Sequence, residues 1–177
     1  MKYLRIIFTG RAIDNDYVSL YEVSLAGTAT EAPAGSTDSD ISIAAHELLG
    51  DWPAAGGTNR TADKSYDNNA ETSWNASIKK NVSSVIYTLD AVYSISGMVT
   101  TWDRATTWFD VYTSSDGASW TAAASVTAES GNYDGNTCTL SNLSASAAKY
   151  VKIVFTGNTS SWFALYEISL TGVAADL

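Results

Sequence analysis

The 177 residues carry 10 Lys or Arg against 19 Asp or Glu, giving a formal charge of −9, with one histidine and one cysteine. That length suits one medium domain with a substantial core, and 45% hydrophobic residues with ten tyrosines describe a folded chain rather than a disordered one. The charge argues against nucleic acid and anionic membranes as partners, and the lone Cys138 excludes an internal disulfide.

The first predicted elements are a strand pair at residues 2–27. KYLRIIFTG at 2–10 alternates Leu4, Ile6 and Phe8 with Tyr3, Arg5 and Ile7, and SLYEVSLAG follows at 19–27. Both phrases recur near the other end of the chain, as KYVKIVFTG at 149–157 and ALYEISLTG at 164–172. The Met1–Phe8 run is too short for a signal peptide, no run reaches transmembrane length, and the echo marks the segment as structural. Between the copies, further short strands are expected at about 41–46, 84–89, 95–102, 107–114, 121–127 and 136–141. SIAAHELLG at 42–50 also permits one helical turn. Asp116–Gly117 suits a tight hairpin, and ESGNYDGN at 129–136 is a second turn signal. In the last pair, strict alternation puts Tyr166, Ile168 and Leu170 on one face and Leu165, Glu167 and Ser169 on the other. Many short strands separated by Gly- and Asn-rich turns indicate an all-β sandwich or barrel.

KSYDNNAETSWNAS at 64–77, FDVYTSSDGASWTAAAS at 109–125 and the closing pair beginning KYVKIVFTG together resemble the discoidin, or coagulation factor 5/8 type C, domain. Within that family the chain is most similar to family 32 carbohydrate-binding modules. The resemblance covers roughly residues 28–172. It implies a jelly-roll β-sandwich of the galactose-binding type, with about eight core strands plus the extra N-terminal pair. Residues 1–27 then read as the duplicated closing pair of a preceding repeat, and 28–177 as the complete domain. The duplicate is expected to pair along the sandwich edge or to swap into another molecule, forming a homo-oligomer.

The resemblance also implies a structural calcium site. Carried over by position, its side chains are Asp67, Thr72 and Glu167, with carbonyls near Lys64, Asn69 and Ala164. Close-spaced oxygen ligands are what a hard cation requires, and Asp67–Thr72 supplies them. Glu22 matches Glu167 in the first copy but lacks a partner loop.

Sugar binding is likewise implied by the resemblance, through loops at one end of the sandwich. A pyranose stacks its apolar face on a flat ring while its hydroxyls take planar polar partners. The candidates are His46, Trp52, Asn59 and Arg60 in one loop, Trp102, Asp103, Arg104 and Trp108 in a second, and Trp162 and Phe163 in a third. Trp74 and Trp120 read as packing residues.

Catalysis has little support. His46 is the only histidine and no nucleophile motif accompanies it, Cys138 alternates like a buried residue, and zinc-ligand spacing is absent. Asp103, Asp110, Glu129 and Asp134 offer carboxylates for glycoside hydrolysis, but nothing pairs two of them across a cleft. The expected function is a non-catalytic carbohydrate-binding module of a larger secreted or cell-surface protein. The alternatives are a protein-binding adhesion module and, third, a glycan-cleaving enzyme.

Overall fold

The structure, a computed structural model, describes residues 37–49, 60–76, 84–103, 107–127, 130, 132–158 and 162–175. The expectations for residues 2–27, Trp52, Asn59 and Arg104 fall outside the described residues. Those described belong to the unit Gly35–Leu177.

Among the described residues there are nine antiparallel strands: β1 (Ser39–Ile41), β2 (Ile43–Leu49), β3 (Trp74–Ala76), β4 (Ser84–Trp102), β5 (Thr107–Ser114), β6 (Thr121–Val126), β7 (Tyr133–Asp134), β8 (Thr137–Asn158) and β9 (Phe163–Ala174). A 3₁₀ turn, Ala62–Ser65, precedes β3. The segment read as permitting a helical turn is instead β2, registered on β4 from Ile43↔Leu89 to Leu49↔Ser84. A helical turn of that length has too few internal hydrogen bonds to compete with a ladder on an existing strand.

β4 and β8 each serve two layers of the sandwich. Ser84–Thr88 of β4 lies between β2 and Tyr150–Val154 of β8, whereas Gly97–Thr101 lies between Thr137–Ser141 of β8 and β9. Register shifts between Thr88 and Gly97 mark the bend, as bulges do where a strand crosses from one layer to the other. Strands expected at 84–89 and 95–102 are thus one element, as are those at 136–141 and 149–157. One layer runs β2–β4–β8–β5–β6 and the other β1–β9–β4–β8, with β3 on β9 and β7 on β8.

The core lies between the layers. Val85, Tyr87, Phe109, Val111 and Ile153 face it from one side; Met98, Trp102, Ile168 and Leu170 face it from the other. Strict alternation fails at one place in β9. The register slips where Thr101↔Glu167 is followed by Trp102↔Leu165, so Leu165 and Ile168 are both buried and Tyr166 is only half-buried. The bulge at Tyr166 corrects the expected face assignment. The β5–β6 connection, 115–120, is longer than a two-residue hairpin. Gly117 takes φ +74° there, and the Asp116 carboxylate accepts from the Ala118 and Ser119 N–H groups, each at 2.8 Å. Those backbone bonds hold the Asp116 carboxyl down to about 2.

Every strand partner described lies between Ser39 and Ala174. Deleting residues 1–27 is expected to leave a cooperatively folding domain. Failure of the truncated chain to give a cooperative transition would make the first copy integral to the fold.

Candidate functional site

One end of the sandwich gathers most of the polar candidates. β4 leaves its layer at Trp102 and Asp103, and β9 enters beside them. The Asp103 N–H donates to the Ala164 carbonyl at 2.9 Å, and the Ala164 N–H returns a bond to Asp103 Oδ1 at 3.1 Å. The turn before β8 joins this pair. Trp102 N–H donates to the Asn136 carbonyl at 2.9 Å, and Asn136 Nδ2 to the Asp103 carbonyl at 3.2 Å. Arg60 is tied in through its carbonyl, which accepts from the Asn75 N–H at 3.1 Å, and Asn75 is the register partner of Ala164. Arg60 itself is exposed. Asp103 is thus a positioning residue, holding three segments together. Asn136, which sequence reading took only as part of a turn, belongs to the same end; the Asp134–Gly135–Asn136 turn, with Gly135 at φ +58°, was its signal.

The aromatic candidates separate sharply. Trp162, just before β9, is 41% exposed. Trp108 is half-buried on the outer face of β5. Trp102 and Phe163 are 1% and 0% exposed, and both expectations of ligand contact are corrected. Their rings join Trp74, Phe109 and Phe155 in an aromatic cluster with centroids 4.5–6.3 Å apart, beneath the loop end. The indole Nε1–H of Trp102 donates to Thr100 Oγ1 at 2.8 Å, which satisfies its polar atom inside the core. Trp74, read as a packing residue, is fully buried in this cluster.

His46 stands apart from this end. It lies on β2, where Nδ1 is 2.8 Å from the Tyr66 hydroxyl, and Tyr66 packs edge-on against Tyr87. Burial holds its pKa below 6.5, partly opposed by the Asp63 carboxylate. Its partner is a phenol rather than a serine or a carboxylate, and that phenol packs on Tyr87, whose hydroxyl is 2.9 Å from Ser65 Oγ. Burial also pushes the Cys138 thiol up to about 11, far from a nucleophile's range.

A second cluster forms where the loop before β3 meets β9. Asn68 adopts φ +57°, a conformation asparagine tolerates, and the next peptide N–H, that of Asn69, faces two carboxylates. It lies 3.1 Å from Asp67 Oδ1 and 2.8 Å from Glu167 Oε1. The Thr72 hydroxyl likewise faces three acceptors, both Asp67 oxygens at 2.9 and 3.0 Å and the Asn69 carbonyl at 2.9 Å. Acceptors therefore outnumber the protons these groups supply. Burial, and then the neighbouring Asp67, lift the Glu167 carboxyl above its ordinary 4.5. Burial would raise Asp67 as well, but the Lys64 ammonium, the Thr72 hydroxyl and the Asn69 N–H bring it below its ordinary 3.8. The Lys64 ammonium sits 3.1 Å from Asp67 Oδ2 and 3.4 Å from Asp63. A set of hard oxygens short of positive charge fits a calcium ion. Two of the expected ligands fit less well. Lys64 meets the cluster through its ammonium, and Ala164 turns both backbone groups to Asp103.

The model of the F5/8 type C domain matches residues 43–168. No curated protein sequence matches the chain. Among solved structures, a truncated AlyQ with CBM32 and alginate lyase domains aligns at 21% identity over 80% of this chain, with a TM-score of 0.58. The chain spans 35% of that protein's length. The isolated CBM32 of AlyQ, in complex with 4,5-unsaturated mannuronic acid, aligns at 22% identity over 75% of this chain and 97% of its own, with a TM-score of 0.56. CpGH89CBM32-5 from Clostridium perfringens, in complex with GalNAc-β-1,3-galactose, aligns at 18% identity over 71% of this chain and 93% of its own, with a TM-score of 0.57. At these identities the likeness speaks to the fold, an antiparallel β-sandwich.

Proposed function

Because the chain belongs to the F5/8 type C domain family, we propose that it is a non-catalytic carbohydrate-binding module acting within a secreted or cell-surface protein. The observation that carries this reading is Trp162, a large ring 41% exposed at the loop end, beside the Asp103–Ala164 pair and on the same end as Arg60 and Asn136. A partly exposed indole at an end that also carries Asn136 and Arg60 offers what a sugar requires: a flat apolar ring, with planar hydrogen-bonding groups on the same end. The structural neighbours that carry bound sugars share the sandwich on which this end is built.

Calcium belongs to the same proposal. Asp67, Thr72, Glu167 and the Asn69 carbonyl would hold the ion, which would take the place of the Lys64 ammonium at Asp67. Bound there, it supplies the positive charge the cluster lacks and fastens the loop before β3 to β9. Its role is structural.

Glycan-array binding followed by calorimetry tests the sugar assignment. Trp162→Ala is expected to weaken the best array ligand about tenfold, some 1.4 kcal/mol, with an unchanged melting midpoint. An array with no ligand above background would remove the carbohydrate reading. Unchanged affinity in Trp162→Ala would move the site elsewhere.

A further inference from the structure

The loop end is not the molecule's only aromatic surface. Along β5, Phe109 and Val111 point into the core while Trp108, Asp110 and Tyr112 share the outer face. Trp108 and Tyr112 are four residues apart, about 13 Å along a strand. The Trp108 indole packs closely against β8 at its register partner Gly157, and a Cβ on that glycine would collide with the ring. The indole is half-buried there, on the outer face of the strand.

Tyr112 has its own surroundings. Its register partner on β8 is Lys152, whose ammonium stands 5.4 Å from the Tyr112 ring and 4.1 Å from that of Trp120. On the other side, β6 places exposed Ala122, the register partner of Tyr112, where a larger side chain would cover the phenol. This leaves a shallow groove of about 320 Å³ along Asp110, Tyr112 and the β6 alanines. Asp110 borders it, with Oδ1 accepting from Ser125 Oγ at 2.6 Å.

We propose that this outer face, from Trp108 to Tyr112, is a second binding surface that takes an extended, uncharged polysaccharide chain. The proposal rests on the carbohydrate reading and deepens it, since a row of rings this long is matched to several linked sugars rather than to one terminal unit. Charge selects the occupant. A net −9 disfavours a polyanion, and on the face itself Asp110 and Lys152 cancel, leaving a locally neutral strip. The flat indole supplies stacking, the groove beside Tyr112 admits a ring edge, and the carboxylate and ammonium supply hydroxyl partners. Trp120 acts by positioning the ammonium through its π face.

Native affinity electrophoresis tests this, in gels cast with xylan, galactomannan, hydroxyethyl cellulose or polygalacturonate, alongside the glycan array. The expected result is retardation in at least one neutral gel and none in polygalacturonate. Tyr112→Ala should lose at least fivefold of that retardation, while array binding to short glycans is kept. Ala122→Glu, a change at an exposed position that fills the groove, should do the same without touching the core. Three results overturn the proposal and leave the carbohydrate reading intact: array binding with no neutral-gel retardation, retardation unchanged in both variants, or preference for polygalacturonate. Absence of binding in the gels and on the array removes both.

Discussion

Trp102→Ala is expected to cost about 3–5 kcal/mol of folding stability, the range for emptying a large aromatic site in a packed core. The indole is 1% exposed and touches Phe109, Phe155 and Phe163, so its removal leaves a void bounded by rings that cannot all collapse into it. The change also strands Thr100, 0% exposed, whose hydroxyl loses the indole donor. Denaturant titration reads the loss as a lower midpoint with an unchanged slope. Any glycan affinity should persist in the fraction that remains folded. The contrary result, a variant of normal stability that has lost glycan binding, would return Trp102 to the ligand and contradict its burial. Trp162→Ala is the matched control, since an indole 41% exposed leaves a smaller void than one 1% exposed.

The difference between these two tryptophans explains how far the sequence could be read. Period-two phase was enough to find the strands and to separate their faces wherever a strand ran straight. By that phase Met98, Thr100 and Trp102 share one side of β4. WDRATTW is rich in polar residues and so reads as a loop, whereas phase carries Trp102 inward at the end of β4. The same rule puts Phe163 with Leu165 inside, and Trp108 with Tyr112 outside. Phase itself failed at Tyr166, where a bulge buries both Leu165 and Ile168; nothing local in ALYEISL announces it. The fusion of the predicted strands into β4 and β8 was also illegible. A strand that bends between layers keeps its hydrogen bonds, while its side-chain pattern merely changes partner. The Asp67–Glu167 cluster joins residues 100 positions apart, which no spacing rule brings together, and only the family resemblance pointed to it. The Trp108–Tyr112 face is legible in WFDVY, where period two puts both rings opposite Phe109 and Val111.

Calcium should raise the melting midpoint, and EDTA should reverse the rise, because the ion binds the folded cluster and not the unfolded chain. The increment is about 2.7 kcal/mol at a hundredfold excess of free ion over Kd and about 4.1 at a thousandfold. Asp67→Ala should abolish it, since Asp67 contributes both carboxylate oxygens to the cluster. Glu167→Gln keeps the shape and removes one charge, so it should reduce the increment without unfolding the metal-free protein. The Glu167 contribution to the pH dependence has opposite signs with and without the ion. In the metal-free domain the folded-state pKa of Glu167 lies above its unfolded value. Its contribution is therefore fully present below the unfolded pKa and is lost as pH rises through the folded one. Asp67 is depressed, so its contribution is present above the unfolded pKa and is lost as pH falls through the folded one. Calcium requires both groups ionised. The calcium increment should therefore begin to shrink on acidification while the pH is still above 4.5, as Glu167 takes up its proton, and Asp67 should remain charged to lower pH. Thermal melts across this window, with saturating calcium and with EDTA, read the two slopes directly. A wild-type midpoint indifferent to calcium at neutral pH, or an increment that survives Asp67→Ala, would show that the cluster is held by Lys64 and its hydrogen bonds alone.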